Sequence, residues 1–487
     1  MLSTLTPKFV WQIFNDICKI PHPSHHEQMI TKYIVDFAKT HGIDCKLDKV
    51  GNILLSKPAT KGMEECPSIA LQAHMDMVPQ KNEGTSHDFL TDPIQAYVDG
   101  EWVKAKGTTL GADNGVGLAS ALAVLIDPAV EHGAIEVLIT VSEETGMHGA
   151  FGLQPNWLKS HYLINTDSED EGEIFTGCAG GVDFTTTFAV TYAVMPEKHD
   201  CYMNISLKGL KGGHSGCDIH LGRGNAIKLM ARFLAQYAQD ISFRLADIKG
   251  GSLRNAIPRE AFIEITLNKQ DLPKLEAIVK QYQTILHSEL GYVEPAIEIT
   301  LSKVESNKVK RVLTTEHQNK IISWLNSAPN GVVRMSDQLH GVVETSLNLG
   351  IVSIEDNQLN VHFLIRSQVD SAKDAVVSTL TSLSQLVDAN YEISGGYSGW
   401  EPNLDSQLLK LAKDKYHEIF SQKAKIMVIH AGLECGLFKQ SYPNLDMISI
   451  GPTIVSPHSP DEKVNIQSVY RYWELLIAIL KSATLLK

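Results

Sequence analysis

Histidine and carboxylate residues follow apolar segments in the first third of the chain and recur near its end. His74 and Asp76 come directly after the apolar segment 68–72. Residues two apart on a strand point to the same side, so an imidazole and a carboxylate would face one way. The other candidates lie in short loops, and they are Asp113, Glu143, Glu144, Asp167 and His458.

Two histidines and three of these carboxylates form a donor set that suits two borderline metal cations. Imidazole and carboxylate both bind Zn²⁺ at about 2 Å. A shared carboxylate would hold two ions roughly 3.5–4 Å apart, as in two-metal hydrolases. Each residue taken alone has an ordinary explanation, as a turn residue, a helix cap or a solvated loop residue. The spacing therefore leaves both explanations open.

The segments that must position these residues alternate between strand and helix patterns. Short apolar strands are predicted at 53–55, 68–72, 135–141 and 162–164, and a helix at 116–126. This alternation predicts an α/β domain with a mainly parallel sheet flanked by helices. Ligands collect at the carboxyl ends of such strands, which is where the candidates fall.

Ser24 and Glu27 have the spacing of a capping box in front of an amphipathic segment. In that motif the side chain of each residue accepts a hydrogen bond from the backbone N–H of the other, at the first turn of a helix. We therefore predict that these two residues begin a helix, which ends at Gly42.

The pattern changes after about residue 187 to amphipathic strands that alternate with helices, and it changes back at about residue 396. We therefore predict a discontinuous α/β domain of residues 1–187 and 396–487, with an inserted α+β domain of residues 188–395. The insert contains two strand pairs, 252–267 and 345–365, each followed by a helix. They indicate an internal doubling, although chance similarity explains the pattern equally well.

Composition and charge narrow the class of protein. The chain has 487 residues, of which 43% are hydrophobic and 20% charged, values typical of a soluble globular protein. A net charge of −13 without a basic block disfavours nucleic acid and anionic membranes as partners. Seven cysteines without paired spacing indicate reduced thiols. No signal peptide or spanning segment is recognised, so a cytoplasmic location is expected.

Five short motifs in this order carry a resemblance to a known family. They are His74-Met75-Asp76, Gly111-Ala112-Asp113-Asn114-Gly115, Glu143-Glu144-Thr145-Gly146, Asn165-Thr166-Asp167-Ser168-Glu169 and Pro457-His458-Ser459-Pro460. The chain resembles the co-catalytic zinc aminopeptidases and deacylases, which include carnosinase, aminoacylase and succinyl-diaminopimelate desuccinylase. Residues 20–24 and 430–436 add a similarity to the dipeptidases of that family.

The resemblance implies two divalent metal ions per chain, with zinc expected and Mn or Co able to substitute. His74, Asp113 and Asp167 would bind one ion. Asp113, Glu144 and His458 would bind the other, so that Asp113 bridges the two.

The resemblance also implies roles for residues beside the ions and in the insert, which would act as a lid. Asp76 would orient His74, and Glu143 would be the general base. His214 would donate to the developing oxyanion, and Asn255 would reach the substrate. Arg366 would pair with a substrate carboxylate.

The implied reaction is hydrolysis of dipeptides, of the Xaa-His type such as carnosine-like substrates. Removal of an acyl group from N-acyl amino acids is an alternative that uses the same ions. A non-catalytic metal-binding protein is a third alternative. The uncoordinated acid Glu143 argues against it, because a site that only holds metal has no use for such a residue. A homodimer is left open, and His430 and Glu434 receive no role.

Overall fold

The computed structural model describes residues 2–237, 241–305 and 311–486, and these fold into two units. The first unit contains the chain up to Cys178, Trp400–Val428 and the residues from Leu433 onward. The second unit contains Ala179–Gly399 and Ile429–Gly432. Within the described ranges, none of the helices has the length and apolar composition that crossing a bilayer requires.

The amino-terminal part of the first unit alternates strands and helices. Its helices are α1 (Lys8–Ile17), α2 (Gln28–His41), α3 (Ala112–Ile126) and α4 (His148–Gly152). Its strands are β1 (Asp44–Leu47), β2 (Ile53–Lys57), β3 (Ile69–His74), β4 (Ala96–Asp99), β5 (Trp102–Ala105), β6 (Ile135–Thr140), β7 (Tyr162–Asn165) and β8 (Glu173–Cys178).

The second unit is richer in strands. Its strands are β9 (Gly180–Ala189), β10 (Tyr192–Ala193), β11 (Cys201–Lys208), β12 (Gly213–His214), β13 (Phe243–Gly250), β14 (Ala256–Ile257), β15 (Ala261–Leu267), β16 (Glu298–Lys303), β17 (Val312–Leu313), β18 (Gly331–Met335), β19 (Val343–Glu355), β20 (Gln358–Ser367) and β21 (Asn390–Tyr397). Its helices are α5 (Ala226–Tyr237), α6 (Leu272–Leu290), α7 (Thr315–Ser327) and α8 (Asp370–Gln385).

The chain then returns to complete the first unit. The last strands are β22 (Lys425–Ile429), β23 (Asp446–Ser449), β24 (Ile454–Val455) and β25 (Lys463–Asn465). The last helices are α9 (Gln407–Phe420), α10 (Glu434–Ser441) and α11 (Ile466–Lys481).

In the described part of the first unit, eight strands form one sheet in the order β1-β2-β6-β3-β7-β23-β8-β22. The α/β prediction is confirmed, and the parallel pairing is concentrated in the four strands β6, β3, β7 and β23. Strands β1 and β2 pair antiparallel because a short turn joins them. Every residue of β3, β6 and β7 is buried, as expected for strands covered on both faces.

Helix α3 brings the start of its first turn close to the sheet. It is buried from Ala112 to Leu125, so it lacks the polar face of a surface helix. At Gly117 a Cβ atom would lie 2.5 Å from the carbonyl oxygen of Thr166. Only glycine allows this close approach, which places Asp113 near Asp167.

In the described part of the second unit, nine strands form a sheet with the order β16-β11-β15-β13-β19-β20-β9-β21, and β18 pairs with β19 beside this path. The pairings along it are antiparallel. From the centre outward, one half runs β13-β15-β11-β16 and the other β19-β20-β9-β21. When only the strands on this path are counted, each half has the chain order strand, helix, strand, strand, helix, strand.

Two details of the predicted organisation need correction. The boundary after residue 187 falls inside β9, and the boundary before residue 396 falls inside β21, because both strands pair within the second unit's sheet. The first predicted strand pair, 252–267, is instead formed by β13 and β15, since residues 251–260 connect them. The role of this unit as a lid stays a prediction.

Candidate functional site

His74 ends strand β3 and is almost fully buried, with 1% of its surface exposed. Its Nδ1 lies 3.0 Å from the backbone carbonyl oxygen of Asp76 and 3.4 Å from the Asp76 carboxylate. A carbonyl oxygen can only accept, so Nδ1 carries a hydrogen, and Nε2 is left as the nitrogen that a metal ion could bind. This is the tautomer that a metal ligand needs.

Asp113 lies at the start of α3, where its backbone has not yet taken helical angles. Its Oδ1 is 3.2 Å from His74 Nε2, and its Oδ2 is 3.1 Å from His458 Nε2. The two oxygens of one carboxylate thus face two different imidazoles. This is the arrangement that a bridging ligand requires.

Two further carboxylates complete the two halves of this cluster. Asp167, just beyond β7, has Oδ1 3.3 Å from His74 Nε2. Glu144 has Oε2 2.9 Å from His458 Nε2. Among the described residues, three sets have ligand atoms within 4.8 Å of one another, and two of them include Asp113: His74, Asp113 and Asp167, and Asp113, Glu144 and His458.

The charges in this cluster show why cations would fit it. Burial, with the neighbouring charge of Asp113, raises the pKa of Asp167 to about 6. Hydrogen bonds to Asp113 and Glu144 raise the pKa of His458 to about 11. The Oε1 atom of Glu144 is buried without a hydrogen-bond partner. Buried carboxylates held this close together need positive charge to balance them, and an orphaned oxygen leaves a ligand position available.

Glu143 lies beside the same cluster. One of its oxygens is within 4.8 Å of ligand atoms of His74 and Glu144. Burial holds the pKa of Glu143 well above its usual range, and the negative charges of Asp167 and Glu434 add to this effect. Glu143 therefore lies beside the candidate ligands, and its role as the general base stays a prediction.

The loop that carries Glu143 and Glu144 is held by acidic side chains. The Asp76 carboxylate accepts from the backbone N–H of Glu143 at 3.0 Å and of Glu144 at 3.3 Å. It also accepts from the Ser24 hydroxyl at 2.8 Å. Asp76 therefore contacts His74 and fixes the Glu143–Glu144 backbone at the same time.

The predicted capping box is wrong. Ser24 donates to Asp76, and Glu27 makes no side-chain cap at α2. Glu27 Oε1 instead accepts from the backbone N–H of Ser142 at 3.0 Å and from its hydroxyl at 2.6 Å. Contacts with Asp76 and Ser142, which are far away in sequence, thus take the place of the local motif.

A buried polar layer lies one step behind the candidate ligands, and the sequence analysis did not find it. Gln72 donates to Glu434 at 2.6 Å and accepts from Asn165 at 2.5 Å. Thr140 also donates to Glu434, at 2.8 Å. Burial raises the pKa of Glu434 to about 8. These polar residues stand in otherwise apolar strands, and that interruption is the signal by which they could have been noticed.

Glu462 is the second residue that sequence reasoning missed. Its side chain is buried and accepts from the four consecutive backbone N–H groups of residues 110–113. It stands in the sequence four residues after His458. An acid that binds only backbone leaves no pattern of partner residue types, so its role is invisible before the fold is known.

The remaining predicted residues lie together in the second unit. His214 and Ala256 are paired across β12 and β14, so Asn255 is adjacent to His214 along this ribbon. Arg366, on β20, has a guanidinium nitrogen 3.4 Å from His214 Nε2. His430 Nε2 lies 2.7 Å from the Ser346 hydroxyl, while its Nδ1 is buried without a partner.

The protonation of His214 is set by its surroundings. Burial, together with the positive charge of Arg366, lowers the pKa of His214 to about 4. Its Nδ1 accepts from the backbone N–H of Gly216 at 3.2 Å and of Cys217 at 3.0 Å. The neutral ring therefore carries its hydrogen on Nε2, which can donate a hydrogen bond to an oxygen.

Comparison with known proteins agrees with this geometry. Residues 70–482 match the model of Peptidase family M20/M25/M40. The chain is 54% identical to the cytosol non-specific dipeptidase of Escherichia coli over 99% of its own length and 98% of that protein. The solved structure of aminoacylhistidine dipeptidase from Vibrio alginolyticus matches with a TM-score of 0.92 and 52% identity, covering 99% of this chain and 98% of that one.

A more distant structure shares the fold alone. The aminopeptidase PepT from Bacillus cereus matches with a TM-score of 0.53 at 16% identity, and the match covers 99% of each chain. The matched segment 70–482 contains the whole histidine and carboxylate cluster of the first unit. The chain thus belongs to Peptidase family M20/M25/M40.

Proposed function

We propose that this chain is a metal-dependent dipeptidase of the cytosol that hydrolyses dipeptides, with those of the Xaa-His type among its substrates. The observation that carries the proposal is the position of Asp113, whose two oxygens face His74 and His458 within one buried acidic cluster. The identity of 54% to a dipeptidase over nearly the whole chain supports the choice of substrate class.

The site would hold two divalent ions, zinc first, with Mn or Co able to replace it. His74, Asp113 and Asp167 would bind one ion, and Asp113, Glu144 and His458 the other; both sets have their ligand atoms within 4.8 Å. When bound, such ions lower the pKa of water toward roughly 7 and polarise a carbonyl oxygen. The donor set fits them because imidazole and carboxylate are both zinc ligands.

Glu143 would act as the general base. Its carboxylate adjoins both ligand sets without being required by either. It would accept a proton from the attacking water and deliver that proton to the amine that leaves. Asp76 fixes the backbone of Glu143, so the base is held in place for this transfer.

The second unit would recognise the substrate. His214 would donate from Nε2 to the oxygen on which negative charge develops, a contact that is strongest in the transition state. Arg366 would pair with the substrate's terminal carboxylate, since a guanidinium binds carboxylates through two parallel hydrogen bonds. Asn255, adjacent to His214, would contact the substrate backbone.

A substrate panel with defined metals tests this function. Chelator-treated protein should be inactive, and Zn²⁺, Mn²⁺ or Co²⁺ should restore cleavage of carnosine-like and other Xaa-His dipeptides. The matched N-acetyl amino acids lack the free amine and should be cleaved far more slowly. Faster turnover of the N-acyl compounds would replace the dipeptidase proposal with deacylation, and no turnover in either set would reject both.

A further inference from the structure

Glu462 binds the loop that carries Asp113 through both oxygens of its carboxylate. Oε2 accepts from the backbone N–H of Leu110 at 2.7 Å and of Gly111 at 3.0 Å. Oε1 accepts from Ala112 at 2.8 Å and from Asp113 itself at 3.3 Å. The side chain is 2% exposed. One carboxylate therefore fixes four consecutive peptide groups that end at the candidate bridging ligand.

The loop is shaped to present these four donors to one acceptor. Gly111 has a φ of 70°, the left-handed conformation, which turns successive N–H groups toward the same side. A Cβ atom at this position would also lie 3.1 Å from the sulfur of Met77. Glycine is therefore favoured here for its conformation, and a larger residue would also require the Met77 side chain to shift.

Glu462 is also tied to the segment that supplies His458. The backbone N–H of Glu462 donates to the carbonyl oxygen of Ser459 at 2.9 Å, which closes a tight turn directly after His458. The Glu462 side chain thus connects two loops that are separated in sequence by more than three hundred residues. Each of those loops contributes one side chain to the set Asp113, Glu144 and His458.

We propose that Glu462 is a positioning residue that holds Asp113 and His458 at the separation from which both can bind the same metal ion. The hydrogen bonds that its side chain makes within the described residues go to backbone N–H groups, so it acts through the backbone of residues 110–113. The inference rests on the proposed metal site and is independent of which peptide the protein cleaves.

The charge and the two oxygens of Glu462 are both needed for this role. In Glu462→Gln one oxygen is replaced by an NH₂ group, which is a donor and would face two N–H donors of the loop. The loop would have to move to relieve that contact. Groups that orient metal ligands typically contribute about 10- to 100-fold in metal affinity.

A matched control exists in the same unit. Glu136, on β6, is also buried and accepts from the backbone N–H of Lys159 at 3.0 Å and of Ser160 at 2.8 Å. It also accepts from the Ser160 hydroxyl at 2.6 Å. Its loop carries none of the candidate ligands. Glu136→Gln therefore disrupts a comparable set of hydrogen bonds and leaves the contacts between Glu462 and residues 110–113 unchanged.

The experiment measures zinc affinity by competition with a chromophoric chelator, on stripped full-length protein, for the native chain and both variants. The absorption spectrum of the Co²⁺-loaded proteins reports ligand geometry independently of turnover. We expect Glu462→Gln to bind at least one ion about 10- to 100-fold more weakly, with an altered Co²⁺ spectrum. Glu136→Gln should have a lower melting temperature than the native chain, with the native zinc affinity and the native Co²⁺ spectrum.

Native affinity in Glu462→Gln, or an equal loss in both variants, would overturn the positioning role. If Glu462→Gln does not fold, Glu462→Asp decides the matter, since it keeps the charge but is one methylene too short to reach all four N–H groups. It should bind zinc more weakly than the native chain, and unchanged affinity would reject the proposal. A native chain that binds fewer than two ions would instead reject the proposed metal site.

Discussion

The candidate site residues of the two units differ in the charge that surrounds them. The first gathers Asp113, Glu144 and Asp167 around two imidazoles, and burial beside like charges raises the pKa of Asp167 to about 6. The second gathers Arg366, His214 and His430, and burial beside Arg366 lowers the pKa of His214 to about 4 and of His430 to about 3.

The contrast is consistent with the proposed roles, in which metal binding and substrate recognition belong to different regions of the chain. A buried excess of carboxylates is relieved by cations, whereas the buried guanidinium of Arg366 is relieved by anions. Hydrolysis of a dipeptide requires both environments, because the carbonyl group must be polarised by cations and the carboxylate and the developing oxyanion must be neutralised. We therefore expect substitutions in the first unit to remove metal or proton transfer, and substitutions in the second to spare the metal.

The largest effect is expected at the residue shared by both ligand sets. Asp113→Ala should lose both ions together and all measurable turnover, because each of its oxygens faces a different histidine. Elemental analysis after gel filtration measures the metal content. Retention of one ion at the native level would show that Asp113 does not bridge.

Glu143→Gln should separate proton transfer from metal binding within the first unit. The metal content is expected to stay near that of the native chain, because the two sets that share Asp113 do not include Glu143. kcat should fall by about 10²–10⁴-fold, the usual contribution of a positioned base. Steady-state kinetics and elemental analysis on the same preparation check both parts, and a kcat near native would assign the base to another residue.

His214→Ala tests the second unit. It should leave the metal content intact and lower kcat by about 10²–10³-fold, with little change in KM, because its donor meets charge formed in the transition state. His287→Ala, on the exposed surface of α6 in the same unit, is the matched control and should keep native kinetics.

The same variant shows whether one chain suffices. The two halves of the second unit's sheet share one strand order, so we expect His214 to serve its own chain's site. Mixing His214→Ala with Glu143→Gln under subunit-exchange conditions should then recover no activity. Recovery of a substantial fraction would show that His214 acts across a dimer.

The smallest effect concerns pH. His214 loses its proton as pH rises through about 4, so it is neutral at higher pH. Its contribution, measured as the ratio of native to His214→Ala kcat, should change less than about twofold between pH 5.5 and 8. A ratio that follows a titration near pH 6.5 would mean that the imidazole is exposed and charged below that pH during catalysis.

The sequence predicted where two of the candidate ligands lie because these two residues stand at strand ends. Apolar segments place His74 and Asp167 at the carboxyl end of the parallel strands, and residue type then specifies the chemistry. Residues that act through backbone groups could not be predicted this way. Glu462 and Glu27 accept from peptide N–H groups far away in sequence, and any residue type can supply that partner.

The unit boundaries were misplaced for a related reason. Alternating burial in β9 and β21 is typical of an amphipathic strand, but it does not reveal which sheet the strand joins. The capping box failed in the same way, since the spacing of Ser24 and Glu27 satisfies a local motif, while Ser24 donates to Asp76 and Glu27 accepts from Ser142, both far away in sequence. Local patterns predicted elements well, and pairings across the chain required the structure.

The position of β9 has a consequence for how the chain matures on the ribosome. Both neighbours of β9, β20 and β21, are translated only after the entire half formed by β11 to β16. The four strands of that earlier half pair with one another, so they can form their part of the sheet while the backbone groups of β9 are still unpaired. Such exposed edges invite association with other chains, so synthesis of residues 190–357 is the interval in which chaperone binding would protect this protein most.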